Sequence, residues 1–223
     1  MSSRPSAVVF DVNETLSDMA PMAQRFADVG APEHLAKLWF ATVLRDGFAL
    51  AAARPQQPFA KLAAGALRTL LSSLDLGRDL DAAIDHIMTG FSQLPVHADV
   101  ADGARSLRDA GQRLVTLSNG ASQVADQLLT RAGVRDCFDL LLSVEDAAAW
   151  KPAREAYEYA AGACGAALTD MMLVAVHPWD IHGAGRVGME TVWINRTGAP
   201  YPDYFTPPGH TVPSLTDLAV RLA

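Results

Sequence analysis

The sequence has little cysteine, a deficit of positive charge and no long apolar run, and each shortage removes a class of protein. Two cysteines, Cys137 and Cys164, stand among 223 residues with no C-x-x-C spacing. Zinc ribbons and dithiol redox motifs are therefore excluded, and one possible pair does not make a disulfide framework in a chain this long. Both are read as buried thiols in a reducing compartment, and the chain is read as cytoplasmic. No apolar run approaches the roughly 20 residues that a bilayer span requires. The opening MSSRPSAVVFD lacks an apolar h-region and runs directly into a strand, so no signal peptide is expected. Positive charge is in deficit, with 18 Lys and Arg against 25 Asp and Glu and a net charge of −7. Such a chain repels phosphate backbones and anionic lipid, so neither nucleic acid nor a membrane surface is an expected partner. A small anionic substrate is still allowed, because a few local cations outweigh a diffuse field. What is present is globular: 50% of residues are apolar and 19% charged, in a length that suits a core domain with an insertion.

Ala7-Val8-Val9-Phe10 is apolar on both faces and reads as a buried parallel strand ending at Asp11. From about Met22 to Leu94 the spacing is helical. Leu35, Leu38, Trp39, Thr42 and Val43 make one stripe, Leu62, Ala66, Leu67, Leu70 and Leu71 a second, and Ile84, Ile87, Met88 and Phe91 a third. From Pro95 strands and helices alternate, with strands at 113–117, 140–142, 171–176 and 190–194 and helices at 100–110, 122–132, 154–164 and 181–187. Alternation at this length implies βαβ units and a parallel sheet. The fold class expected is a doubly wound, Rossmann-like α/β core (residues 1–16 and 96–223) with a helical cap (residues 17–95) inserted after the first strand. Residues 197–213 carry five prolines and read as an ordered surface loop before a last helix.

Open parallel sheets bind ligands beyond the carboxyl ends of their strands. The polar residues there are Asp11, Asn13 and Thr15 after the first strand, Ser118 and Asn119 after the second, Lys151 in the loop after the third, and His177 and Asp180 after the fourth. Asp11 supplies a carboxylate able to form an ester intermediate, which splits one displacement into two steps. Thr15 is placed to fix its rotamer. Lys151 keeps Asp11 ionised and offsets substrate charge. Asp180 either orients and deprotonates a water or caps the helix read at 181–187, and both can hold. Ser118 and Asn119 suit an anion, helped by N–H groups at the start of the following helix.

The ordered set F-D-x-x-x-T-L, S-N-G, K-P and a late Asp after a strand resembles the haloacid dehalogenase superfamily along essentially the whole chain. Leu117-Ser118-Asn119-Gly120, Lys151-Pro152 followed by Tyr157, and Trp179-Asp180 are similar to its type II (S)-2-haloacid dehalogenases. The resemblance implies Asp11, Thr15, Lys151 and Asp180 as catalytic residues. It implies Ser118 against the substrate carboxylate, Asn119 and the cap residue Arg45 against the leaving halide, and Tyr157 and Trp179 lining the site. Arg45 reads equally well as a solvated surface residue. Trp39 and Phe59 are cap aromatics able to close the site, although Trp39 fits a core position better. The resemblance further implies a homodimer.

Metal-dependent members carry an Asp where this chain has Asn13 and an acidic residue where it has Val176. Mg²⁺ requires several hard oxygen ligands, and a halide needs no proton to leave, so no metal and no cofactor are expected. Hydrolytic dehalogenation of a small 2-haloacid is preferred to the alternatives, a phosphatase or phosphonatase and a binding protein without catalysis. The chain departs from the type II pattern as well. Asn13-Glu14 replaces Tyr-Gly, Ala175 replaces Ser, and His177 replaces Asn. Glu14 is left without an assigned partner. His177 either bridges Asp11 or a water to Asp180 or packs beside Trp179.

Overall fold

Four consecutive apolar residues form β1 (Ala7–Phe10), and all four are inaccessible to solvent. A strand buried on both faces belongs at the centre of a parallel sheet, which is where the computed structural model places it. The structure describes residues 4–147 and 149–223. Among these the chain forms two compact units, one made of the segment ending at Ser17 with Pro95–Ala223, the other of Asp18–Leu94.

The first unit holds β1, α5 (Val100–Asp109), β2 (Leu114–Ser118), α6 (Ser122–Arg131), β3 (Phe138–Ser143), α7 (Arg154–Cys164), β4 (Met171–Ala175), α8 (Pro178–Arg186), β5 (Glu190–Ile194), β6 (His210–Val212) and α9 (Leu215–Leu222). Its sheet runs in the order β3-β2-β1-β4-β5-β6 with every neighbouring pair parallel. After β1 the chain builds outward on one side through β2 and β3, then crosses to the other side with β4. The carboxyl end of β1 therefore lies where the winding reverses, the crevice in which such sheets bind ligands. Register fixes the edge: Phe10 lies beside Thr116 of β2 and Val174 of β4, and the Asp11 N–H donates to the Val174 carbonyl at 3.0 Å. Where the chain leaves and re-enters this unit, Ser17 and Val96 form a single antiparallel bridge, and His97 N–H donates to the Leu16 carbonyl at 2.9 Å.

The second unit holds α1 (Met22–Ala27), α2 (Leu35–Ala53), α3 (Phe59–Leu71) and α4 (Leu80–Ser92). Trp39 is fully buried at its centre, packed edge-on against Phe91 at 5.6 Å between centroids, with its indole N–H donating to the Ala63 carbonyl at 2.9 Å. Phe59 is buried too and stacks on Phe91 at 5.4 Å.

Three expectations are corrected. Residues 197–213 are not loop throughout: β6 pairs with β5 at the sheet edge. Prolines and Gly209 flank its three residues and hide the signal, and an edge strand tolerates them because one side of its ladder is unpaired. The helix expected from 181 starts at Pro178, which needs no N–H donor at the first position, so His177 and not Asp180 occupies the cap. On α2 the buried face is Leu35, Ala36, Trp39, Phe40, Val43 and Gly47. Leu38 is half exposed, since the face runs in two i, i+4 rows that bypass it.

Candidate active site

The centre of the α/β unit is a lysine shared by two carboxylates. Asp11 follows β1 directly. Lys151 follows the short segment after β3, and Asp180 sits in the first turn of α8. Lys151 Nζ donates to Asp11 Oδ1 at 2.8 Å and to Asp180 Oδ2 at 2.7 Å. The lysine side chain and that of Asp180 are 0% exposed and Asp11 is 5% exposed. A lysine buried this deeply is tolerated only when its charge is met at close range.

Each carboxylate has a second donor. Thr15 Oγ1 donates to Asp11 Oδ2 at 2.6 Å and accepts the Val176 N–H at 3.1 Å. The threonine hydroxyl thus links the loop after β1 to the end of β4. Tyr157, fully buried on α7, donates to Asp180 Oδ1 at 2.6 Å. The approach of α7 to α8 that permits this contact depends on Gly183. A Cβ there would stand 2.6 Å from Tyr157 Oη and 2.6 Å from Pro152 Cβ, closer than real side chains come.

These contacts set the protonation states. Burial pushes Asp11 up, but the Lys151 charge, His177, and the hydrogen bonds from Lys151 and Thr15 outweigh it and hold the carboxyl below its ordinary range. Burial lowers the Lys151 ammonium, and the Asp11 and Asp180 charges overcome that and raise it. Asp180 is pushed up by burial and by the neighbouring Asp11 charge, against the pull of Lys151 and Tyr157. Burial and the Asp180 charge keep the Tyr157 phenol protonated, well above its usual value. One carboxylate held ionised beside another held nearer to protonation is a pairing suited to a nucleophile and a base.

The remaining polar residues arrange themselves around this centre. Ser118, at the end of β2, accepts the Gly120 N–H at 2.9 Å. Asn119 grips the Lys151 peptide from both sides, accepting its N–H at 3.0 Å and donating to its carbonyl at 3.3 Å. It is a positioning residue for the lysine, a role its sequence context does not reveal. His177 lies with its ring stacked on Trp179 at 4.9 Å. Its Nε2 is 3.1 Å from the Asn13 carbonyl, 3.6 Å from Asp11 Oδ2 and 3.7 Å from Glu14 Oε2. Packing against Trp179 and reaching toward Asp11 are therefore not alternatives. The Trp179 ring centroid is 5.9 Å from Lys151 Nζ, near the outer limit of a cation–π contact. Tyr157 is as deeply buried as Lys151 and Asp180, and it meets the site through its hydroxyl on Asp180. Arg45 belongs to the helical unit, where it is 72% exposed and pairs with Asp46 at 2.8 Å. Phe59 is a core residue of that unit.

Sequence reasoning missed Arg196. It follows β5, donates to the Thr15 carbonyl at 2.9 Å and pairs with Asp99 at 2.7 Å, bracing the loop that carries Thr15. The strand-end rule that selected the other residues would have selected it had it been extended to β5. Among the described residues no group of three or more His, Cys, Asp or Glu side chains is placed to hold a metal ion, and no helix is long and apolar enough to cross a membrane.

A family model for haloacid dehalogenase-like hydrolases matches residues 5–188. The chain is 33% identical over 220 residues to (S)-2-haloacid dehalogenase 4A of Burkholderia cepacia, spanning 97% of this chain and 94% of that protein. A solved dehalogenase superposes with a TM-score of 0.92 at 31% identity, covering 100% of this chain and 99% of the other. The L-2-haloacid dehalogenase of Xanthobacter autotrophicus, solved with chloropropionic acid covalently bound, superposes with a TM-score of 0.86 at 25% identity, covering 97% and 98%.

Proposed function

The chain belongs to the haloacid dehalogenase-like hydrolases, and on that premise we propose that it converts small (S)-2-haloalkanoic acids to 2-hydroxy acids through an ester formed on Asp11. The observation that carries this reading is the pairing of an ionised, threonine-held Asp11 with Asp180 through one buried lysine. A carboxylate oxygen of Asp11 attacks C2, the C–O bond forms as the carbon–halogen bond breaks, and the halide leaves with the bonding electrons. A water then attacks the Asp11 carboxyl carbon. Asp180 takes its proton, since each of its oxygens accepts one hydrogen bond and keeps a lone pair for a second. The acyl C–O bond breaks, the leaving alkoxide takes the proton back from Asp180 and departs as the 2-hydroxy acid, and Asp11 loses the remaining proton to solvent and is restored as a carboxylate.

Lys151 Nζ fills the space between the two carboxylates, where a cation bridging them would sit, and Asn13 and Val176 offer no further carboxylate. Halide release from (S)-2-chloropropionate is therefore expected to survive exhaustive dialysis against EDTA, while a generic phosphomonoester is not hydrolysed. Loss of activity on dialysis with full recovery on adding Mg²⁺ would overturn this reading. Ser118 takes the substrate carboxylate. The family resemblance assigns the halide to Arg45, and on that assignment Arg45→Ala is expected to lower turnover about tenfold, the scale of one charge-assisted contact at a developing anion. Unchanged kinetics in that variant would remove Arg45 from the mechanism. A reducing cytoplasmic setting suits the two free cysteines, and a homodimer is part of the same reading.

The pH dependence follows from Asp180. Its carboxylate must be ionised to accept the proton of water, so turnover falls as pH drops through its raised pKa. The Tyr157 hydrogen bond opposes that rise. Tyr157→Phe should move the acid limb of the turnover profile to higher pH, with a several-fold loss on that limb that shrinks as pH rises. An acid limb left in place would mean that Asp180 is not the group being titrated.

A further inference from the structure

Glu14 is a third acidic side chain at the nucleophile, and nothing in the mechanism above uses it. Its backbone is left-handed, with φ +62°, a conformation that an ordinary side chain adopts only under constraint. Here the turn is held on both sides. The Glu14 N–H donates to Ser17 Oγ at 3.2 Å, and its carbonyl is 2.9 Å from His97 Nε2. The pinned turn delivers the carboxylate to His177, 3.7 Å from Nε2, and the same nitrogen is 3.6 Å from Asp11 Oδ2. Two steps of less than 4 Å thus join Glu14 to the nucleophile. Nε2 lies 3.1 Å from the Asn13 carbonyl, which takes its hydrogen bond when the ring carries the proton there, and the oxygens of Asp11 and Glu14 stand just beyond hydrogen-bond range. Lys151 is already divided between Asp11 and Asp180 and has no charge left over for Glu14. The Glu14 side chain is 41% exposed, unlike the buried trio, and a substrate carboxylate brought to Asp11 lies within reach of its field.

We propose that Glu14 is a specificity-determining residue that weakens binding of anionic substrates at Asp11, so that uncharged 2-halo compounds compete with 2-haloacids better than they would at a site without it. The inference rests on the dehalogenase reading. It deepens that reading by separating two substrate classes that share the same reacting carbon. A unit charge acting over several ångströms through a partly screened medium changes affinity by about three- to tenfold.

The test compares (S)-2-chloropropionate with its amide, which differ in charge and little in shape, in the wild type and in Glu14→Gln and Glu14→Gly. Glutamine keeps the size and the strained backbone and removes the charge. Glycine removes the charge and relieves the left-handed strain, so it folds at least as well as the wild type. The expected result is that the ratio of amide KM to acid KM rises by threefold or more in both variants, through a lower KM for the acid. A purely structural role for Glu14 would shift melting temperature in the glycine variant and leave that ratio unmoved, which would overturn the proposal while leaving the dehalogenase reading intact. Failure of the wild type to release chloride from either compound would overturn both.

Discussion

Replacing Lys151 by methionine is expected to lower turnover at least 10³-fold and to cost about 3–5 kcal/mol of stability, the scale for removing one partner from a buried ion pair. Methionine keeps the apolar stem that lies buried under the site, so packing is largely preserved and the effect isolates the charge. Without the ammonium, Asp11 and Asp180 stand buried beside each other with no cation between them, and both are pushed up. A carboxyl whose folded pKa lies above its unfolded one binds more protons in the native state, so the native state loses stability as pH rises. The penalty of the variant should therefore be larger at pH 8 than at pH 5. In the wild type the Asp11 contribution has the opposite sign. Its folded pKa lies below the unfolded one, so its stabilisation is present at neutral pH and is lost as pH falls through the folded value. Chemical denaturation of both proteins at the two pH values checks this. A penalty that does not grow with pH would mean that Lys151 acts through packing and not through its charge.

Asp11→Asn should separate chemistry from folding in the opposite way. The amide keeps the shape, and its oxygen still accepts from Lys151, while the remaining Lys151–Asp180 pair is balanced one to one. Stability should change by no more than about 1 kcal/mol. Turnover should fall by roughly 10⁴-fold or more, because an amide oxygen is a far poorer nucleophile than a carboxylate. Steady-state halide release and thermal melting, read on the same preparation, test both halves. Residual turnover within tenfold of the wild type would place the nucleophile elsewhere.

The parts of the fold legible in the sequence are those written in hydrophobic period. Val8, Val9 and Phe10 mark β1 because a doubly covered strand needs apolar residues on both faces. The helical stripes between Met22 and Leu94 show because each helix buries one side. The nucleophile position followed from the end of that first strand. What stayed hidden depends on depth or on long-range pairing. A lysine before proline has the local character of a surface residue, and only the convergence of β1, α8 and its own loop buries it. Tyr157 looks like a helix-face aromatic until the absence of a side chain at Gly183 lets its hydroxyl reach Asp180. Asn119 looks like a ligand-binding amide, and its grip on the Lys151 peptide arises from 32 residues away. β6 is three residues framed by prolines, too short for alternation to register. Glu14 carries no local signal of its left-handed backbone, which is imposed by Ser17 and His97.

The central claim is that bond formation occurs at Asp11 and not directly between water and substrate. A single turnover with enzyme in excess, run in heavy-oxygen water and followed by mass analysis of the peptide containing Asp11, separates the two routes. In the ester route water attacks the Asp11 carboxyl carbon, so the label enters Asp11 and the first 2-hydroxy acid released carries ordinary oxygen taken from the enzyme. The ester route predicts a gain of about two mass units on that peptide, one ¹⁸O for ¹⁶O exchange, and an unlabelled first product. Label in the hydroxy acid after a single turnover, with the Asp11 peptide unchanged, would contradict it.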